Sequence, residues 1–181
     1  MTFDLTLVRP SIDHADQITA LRAEFLTEAP HIPGGSRLED FADPADWIAY
    51  CNARQDPATV PDGFVQADQW LLTRVGQDRV LGLVSVRHSI DTPHLAEYGG
   101  HIGYAVRPSE RRHGYGRAQL LLALDWCRTI GLAKVLVTCD ATNQASQHTI
   151  TSCGGVYERD TYDADRGETM RRYWIALWPL D

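Results

Sequence analysis

A basic, glycine-containing loop at residues 106–117 carries the residue types that could bind a phosphate. It contains Pro108, Gly114 and Gly116, and residues 117–130 follow without Gly or Pro, which predicts a helix that begins at the loop. The first N–H groups of a helix have no intrahelical acceptor and lie at the positive end of the helix dipole. Glycines let the backbone approach a ligand closely. The loop is therefore predicted to bind phosphate groups, although the two glycines could also serve only a tight strand-to-helix turn.

Hydrophobic spacing and turn residues predict the elements that must position this loop. The predicted strands cover residues 5–9, 70–75, 80–88, 101–106, 134–139, 156–159 and 172–178. The predicted helices begin after Ser11 or Asp13, after Asp43, at residue 117 and after Asn143. The order β-α-α-β-β-β-α-β-α-β-β predicts an α/β fold over residues 1–181, a single domain with a mixed sheet and helices on its faces. The strand, loop, helix and strand around residues 106–117 predict local parallel pairing.

Composition limits the classes of function. The net charge is −7, which argues against a general nucleic-acid-binding protein and weakly favours cationic substrates. The four cysteines have no CxxC spacing, which is typical of free thiols in a reducing compartment. The first residues lack a signal-peptide pattern, and no apolar run approaches the ~18 residues of a membrane span. We therefore expect a cytoplasmic protein that does not bind membranes.

The loop resembles the acyl-CoA-binding motif of the GNAT acetyltransferase superfamily, in particular a bacterial subfamily of predicted acetyltransferases. The motif reads Arg111-Arg112-His113-Gly114-Tyr115-Gly116 and follows Val106-Arg107-Pro108. The family's Asn after the next strand, with a small polar residue three places on, is matched by Asn143 and Ser146. A Rossmann dinucleotide site fits less well, because its first glycine is missing and the loop lies mid-chain.

The resemblance implies an N-acetyltransferase that uses acetyl-CoA as acyl donor and needs no metal. An amine attacks the thioester directly, without an acyl-enzyme intermediate. The backbone of two strand residues would pair with the pantetheine arm, and the loop would hold the pyrophosphate. The cofactor-binding residues are then Ala105, Val106, Arg111, Arg112, His113, Gly114, Tyr115, Gly116, Arg117, Asn143 and Ser146.

The usual catalytic residues of the family have no counterpart here. The position of its common Glu is Gly100, and that of its common Tyr is Ile150. The nearest candidate bases are Glu97, His101 and His88. Each also has an ordinary interpretation, as a solvated loop acid, a packed strand histidine and a strand-end hydrogen-bonding group. The missing pair leaves an alternative open, a non-catalytic domain that binds or senses acyl-CoA.

The acceptor groove should be lined by the parts least typical of the family. They are the loop between the first two helices, the end of the third strand and the last hairpin. The candidate substrate residues are His31, Arg87, Tyr104 and Tyr173. The seven His show no paired metal-ligand spacing, so we expect no metal site. The expected partner is a small-molecule or peptide amine, and a homodimer is suggested by analogy alone.

Overall fold

A computed structural model describes residues 4–178; residues 1–3 and 179–181 lie outside the described part. The strands are β1 Leu5–Val8, β2 Ala67–Arg74, β3 Gly82–Arg87, β4 Ile102–Val106, β5 Lys134–Asp140, β6 Val156–Asp163 and β7 Glu168–Ala176. The helices are α1 Ala15–Leu26, α2 Pro44–Gln55, α3 Tyr115–Thr129 and α4 Gln144–Ser152. The element order is the predicted one.

The strands form one seven-stranded sheet in the order β1-β2-β3-β4-β5-β7-β6. The pair β4–β5 is parallel and the other neighbouring pairs are antiparallel. This confirms the predicted mixed sheet of an α/β fold. The parallel pair arises where α3 carries the chain back across the sheet, as expected around the phosphate-binding loop.

Helices cover both faces of the sheet, each over its own hydrophobic core. On one face α3 and α4 bury residues such as Leu120, Leu124 and Ile150 against β3, β4, β5 and β7. On the other face α1 and α2 bury Leu21 and Trp47, among others, against β2 and β3. The two faces are called below the α3/α4 face and the α1/α2 face.

Local sequence signals set the helix ends. The Asp43 carboxylate accepts a hydrogen bond from the Ala45 N–H group at 2.8 Å, with Pro44 in the first turn of α2. Gly131 follows α3 in the left-handed conformation at φ +82°, as predicted for a residue just past a helix. α1 begins at Ala15, later than predicted, because a 3-10 turn at Ile12–His14 precedes it.

The last hairpin is longer than predicted. Its strands run to Asp163 and from Glu168, whereas the polar composition of this stretch predicted shorter strands. Charged side chains pair across the two strands, with Arg171 2.8 Å from Asp160. Because such cross-strand pairs stabilise strands on an exposed face, polar residues here extend the hairpin.

Candidate active site

The loop between β4 and α3 brings free backbone N–H groups to the first turn of α3. It contains a 3-10 turn at Pro108–Glu110, and Arg112 (φ +70°) and Gly114 (φ +81°) adopt the left-handed conformation before the helix begins. Five backbone N–H groups of this segment donate no hydrogen bond within residues 4–178. They belong to Arg112, His113, Gly114, Gly116 and Arg117. A phosphate at a helix N-terminus requires donors of this kind.

Buried Arg107 ties the start of this loop to α1. Its Nε donates to the Glu24 Oε1 at 2.7 Å, and the Ser109 N–H donates to the Glu24 Oε2 at 3.2 Å. Burial raises the pKa of Glu24, but the hydrogen bonds from Ser109 and Arg107 bring it below its ordinary value. Glu24 is therefore a stable anion that fixes the loop before any ligand binds.

The predicted cofactor-binding side chains of the loop differ in availability. Arg111 is 2.8 Å from Glu28, so part of its charge is already neutralised. Arg112 and Arg117 are exposed. The exposed His113 ring stacks on Tyr115, whose own side chain is buried in the core. Tyr115 can therefore contribute its backbone to a ligand at this loop, but not its ring.

β4 has an open edge beside the loop. Its pairing with β5 consists of one register pair, Ile102 and Val137, so the rest of that edge has no strand partner within residues 4–178. His101 and Arg107 both hydrogen-bond to the β3 side, and the bonds to one antiparallel neighbour come from alternate residues. By this alternation the backbone of Ala105 faces β3, and that of Tyr104 and Val106 faces the open edge.

The start of α4 contacts β4 next to this open edge. The Asn143 Oδ1 accepts from the Ser146 N–H at 3.0 Å, so Asn143 caps α4. The Ser146 Oγ is 3.0 Å from the Tyr104 hydroxyl. A Cβ on Gly116 would lie 3.5 Å from the Thr149 Oγ1, a polar neighbour of the loop that the sequence did not suggest. Loop, β4 and α4 thus meet around one opening.

The loop between α1 and α2 rests on β4 from the other face. A Cβ on Gly34 would lie 2.6 Å from the carbonyl carbon of Gly103, so the two backbones touch at a place where a side chain has no room. The Ser36 hydroxyl donates to the Gln69 Oε1 at 2.6 Å, and the Gln69 Nε2 donates to the Gly34 carbonyl at 3.0 Å. These bonds hold the loop against the sheet beside the open edge of β4.

Two of the candidate bases have low proton affinity. Glu97 binds Arg159 at 2.7 Å and Thr161 at 2.5 Å, and these hydrogen bonds lower the pKa of Glu97 to about 2. His101 is 6% exposed, and its Nδ1 accepts from the Leu136 N–H at 2.9 Å. Burial, and then the positive charge of Arg87, lower the pKa of His101 to about 4. At neutral pH both groups are in their basic form but bind protons weakly.

Buried His101 predicts an acid-sensitive fold. The unfolded chain binds a proton at this side chain below its ordinary pKa of 6.5, whereas the folded chain binds one only below about 4. Through His101, the free energy of unfolding is therefore highest above pH ~6.5 and falls by about 3 kcal/mol as the pH drops towards ~4. His101→Asn offers an oxygen to the Leu136 N–H and cannot titrate, so we expect a flatter pH dependence in urea denaturation. The same decline in both proteins would contradict this.

His88, the third candidate base, belongs to a polar cluster under α3. Its Nε2 is 2.7 Å from the Oδ2 of Asp68, which is 2% exposed. Asp68 also accepts from Arg9 at 2.7 Å and from the Trp126 indole at 2.6 Å. His88 follows Val86 by two residues, so both face α3. The cluster lies on the α3/α4 face and connects β1, β2 and α3.

The four candidate substrate residues are divided between the two faces. Tyr104 and Tyr173 pack with the α3/α4 core, and burial raises the pKa of Tyr104 to about 12. Arg87 alternates with residues of the α1/α2 face along β3, and His31 lies in the loop on that side, 2.5 Å from Glu39. The structure therefore brings His31 and Arg87 to one side of the sheet and the two tyrosines to the other.

The positions of the two missing family residues are structurally constrained. Gly100 has φ +64°, and a Cβ there would lie 2.5 Å from the Leu136 carbonyl oxygen. Ile150 is fully buried in the α3/α4 core. Neither position has room for a polar catalytic side chain.

The thiols and the possible metal ligands of residues 4–178 provide no alternative chemistry. All four cysteines are free, and burial raises the pKa of Cys51 and Cys127 to about 12 and that of Cys139 to about 11. Such thiols are poor nucleophiles at neutral pH. Among the described residues, no group of three or more His, Cys, Asp or Glu could hold a metal ion. Within the same part of the chain, no helix has both the length and the hydropathy to cross a bilayer.

Comparison with known proteins gives the relationship of this chain. Residues 4–156 match the family model described as Acetyltransferase (GNAT) domain. No curated protein sequence is significantly similar to the chain.

Among solved structures, yncA from Salmonella typhimurium, solved with its cofactor acetyl-CoA, is 17% identical with a TM-score of 0.65, over 98% of this chain and 96% of that one. RimL, a ribosomal L7/L12 alpha-N-protein acetyltransferase solved with coenzyme A, is 17% identical with a TM-score of 0.69, over 97% and 95%. A chimera of the spermidine N-acetyltransferase SpeG from Vibrio cholerae and hSSAT is 18% identical with a TM-score of 0.67, over 96% of both chains. At these identities the likeness concerns the fold.

Proposed function

Because the chain belongs to the GNAT acetyltransferase family, and so moves an acetyl group from acetyl-CoA to an amine, we propose that the opening beside β4 is its active site. The acceptor is the amine of a small molecule or a peptide. One observation carries the proposal: at the start of α3, beside the open edge of β4, a row of backbone N–H groups has no hydrogen-bond acceptor within residues 4–178. We assign the reaction to the cytoplasm, where reducing conditions keep free thiols unoxidised. A homodimer stays a prediction.

The chain's own groups fit acetyl-CoA along this opening. The N–H groups between Arg112 and Arg117 would bind the pyrophosphate, each charge-assisted hydrogen bond contributing about 1.5–3 kcal/mol. Exposed Arg112 and Arg117 add positive charge. The outward backbone of Tyr104 and Val106 would pair with the pantetheine amides as a neighbouring strand does. The thioester would then lie near Ile102, where β4 and β5 meet.

Transfer in this site relies mainly on positioning. The weak proton affinities of Glu97 and His101 argue against either as the base, and His88 lies under α3 with Asp68. The amine would therefore lose its proton to water. Deprotonating an alkyl amine of pKa ~10.4 at pH 7 costs roughly 4–5 kcal/mol. For the departing thiolate, the Tyr104 hydroxyl beside Ser146 would donate a stabilising hydrogen bond, and its pKa of about 12 keeps it protonated at neutral pH.

Steady-state release of free CoA thiol with a panel of amines tests this function. We expect amine-dependent release in the wild-type protein. In Tyr104→Phe we expect a lower kcat with unchanged acetyl-CoA affinity. Tight binding of acetyl-CoA without thiol release on any amine would identify the chain as an acyl-CoA-binding domain instead, the function that Gly100 and Ile150 would suit.

A further inference from the structure

Two arginines on the α1/α2 face lack a carboxylate partner. Within residues 4–178, neither Arg54 nor Arg87 has a carboxylate oxygen within 4.0 Å. Arg54 is 7% exposed, and its buried Nε has no hydrogen-bond partner in the described part of the chain. Its guanidinium contacts the rings of Tyr50 and Phe64, with 5.7 and 5.2 Å to the ring centroids. Within the described part of the chain, no carboxylate therefore competes with a ligand for this guanidinium.

The fold brings Arg54 and Arg87 to the same region although 33 positions separate them in the sequence. The Gln66 side chain donates to the Gln55 carbonyl at 2.8 Å and ties the end of α2 to the start of β2. The next residue, Ala67, is the cross-strand partner of Arg87. Burial, and then the charge of Arg54, lower the pKa of Arg87 to about 10. Two like charges on the same face of the sheet thus act on each other.

Arg87 lies beside the place where the thioester is expected. Arg87 follows Ser85 and Leu83 at two-residue steps, so its side chain is on the α1/α2 face. Its Nη2 is 3.9 Å from the position of a Cβ on Gly103, the first residue of β4 beyond the single pair with β5. Its Nη1 donates to the carbonyls of Gly99 and Gly100 at 3.1 and 3.0 Å, which fixes the guanidinium and leaves Nη2 for a ligand.

We propose that Arg54 and Arg87 bind an oxyanion, a carboxylate or a phosphate, that belongs to the acceptor amine. This inference rests on the proposed acetyltransferase function and defines its substrate class. An oxyanion would neutralise both charges through the charge-assisted hydrogen bonds that guanidinium groups form with carboxylates and phosphates. The same two charges repel a polyamine, although the protein as a whole carries a charge of −7.

Matched acceptors test the charge preference. The probes are L-amino acids against their amides, O-phosphoethanolamine against ethanolamine, and spermidine. We expect the wild-type kcat/KM for the better anionic probe to exceed that of its neutral partner by about 10-fold or more. The amino-acid and phosphate arms show which oxyanion is preferred. Equal rates for charged and neutral partners, or a preference for spermidine, would overturn the inference while leaving the acetyltransferase function intact.

Variants assign the preference to the two side chains. We expect Arg54→Gln and Arg87→Gln each to reduce the anionic-to-neutral ratio, and the double variant to bring it to about 1. Arg128→Gln is the matched control, because Arg128 lies on the opposite face, where it pairs with Asp125 and donates to the Leu177 carbonyl. An unchanged ratio in the double variant would overturn the inference. Absence of thiol release with every probe would overturn the acetyltransferase function itself, and the inference with it.

A stability measurement separates ligand binding from a structural role. Arg54→Met removes the charge but keeps an extended apolar side chain next to Tyr50 and Phe64. Because Arg54 forms no ion pair within residues 4–178 and Met keeps the contacts with the two rings, we expect little change in the melting temperature, an unchanged acetyl-CoA affinity and a reduced anionic-to-neutral ratio. A lower melting temperature with the ratio retained would show that Arg54 supports the fold and would overturn its place in the subsite.

Discussion

Gly116→Glu is expected to weaken acetyl-CoA binding by about 100-fold or more, measured by calorimetry, with little loss of stability. A side chain at Gly116 would enter the space between the loop and α4, because its Cβ would lie 3.5 Å from the Thr149 Oγ1 and 3.8 Å from the Val106 Cγ2. A carboxylate there faces the N–H groups that would bind the pyrophosphate and repels its charge. Loss of two charge-assisted hydrogen bonds is enough for this effect.

Gly167→Glu is the matched control for this variant. It adds the same charge at the turn between β6 and β7, where a Cβ at Gly167 has no heavy atom within 4 Å among the described residues; because Gly167 has φ +68°, it carries the same kind of backbone cost as Gly114→Glu. We expect it to bind acetyl-CoA as the wild type does. Gly114→Glu should behave like Gly116→Glu, with an added cost because Gly114 has φ +81°. Unchanged affinity in the two loop variants would contradict the assignment of the phosphate site.

Gly100→Ala is expected to destabilise the fold by about 3 kcal/mol or more, the second large effect. A left-handed conformation costs a non-glycine residue about 1–2 kcal/mol, and here the Cβ would also lie 2.5 Å from the Leu136 carbonyl oxygen. That oxygen accepts the His101 N–H at 2.8 Å, where β4 and β5 meet. A side chain would separate the strands at this point. Gly100→Glu would therefore destabilise the site rather than supply a base.

Comparison with Gly131→Ala separates the steric part of this cost from the cost of the left-handed backbone. Gly131 has φ +82°, and a Cβ there meets no heavy atom within 4 Å in the described part of the chain. We expect urea denaturation to give a loss of about 1–2 kcal/mol for Gly131→Ala and a clearly larger one for Gly100→Ala. Equal losses would show that the approach to Leu136 is relieved without cost.

The donor side of the proposed site is predicted from local signals in the sequence. The loop with Gly114 and Gly116, the break at Pro108 and the cap at Asn143 act through residues near them in the chain. The helix and strand order follows from equally local patterns, which is why the fold class was predicted. The lengths of β6 and β7 were not, because their stability depends on cross-strand charge pairs such as Arg171 with Asp160.

The acceptor side depends on contacts between residues far apart in sequence. Glu97 is typical of a solvated acid until Arg159 and Thr161, more than sixty positions away, are placed against it. Arg54 occupies the last turn of α2, where a basic residue ordinarily favours the helix dipole in solvent. Only the packing of α2 on the sheet shows that it is buried, on the same face as Arg87.

A single-turnover experiment with acetyl-CoA labelled with carbon-13 in the acetyl group tests the central claim of direct transfer to an amine. Excess enzyme is mixed with labelled acetyl-CoA and the amine panel, and the reaction is quenched. The masses of the amines and of the intact protein are then measured by mass spectrometry. We expect the label to pass to an amine without a labelled protein intermediate, since burial raises the pKa of the thiols of Cys51, Cys127 and Cys139. Label on the protein before it reaches the amine, or label that stays on CoA with every amine, would contradict the account.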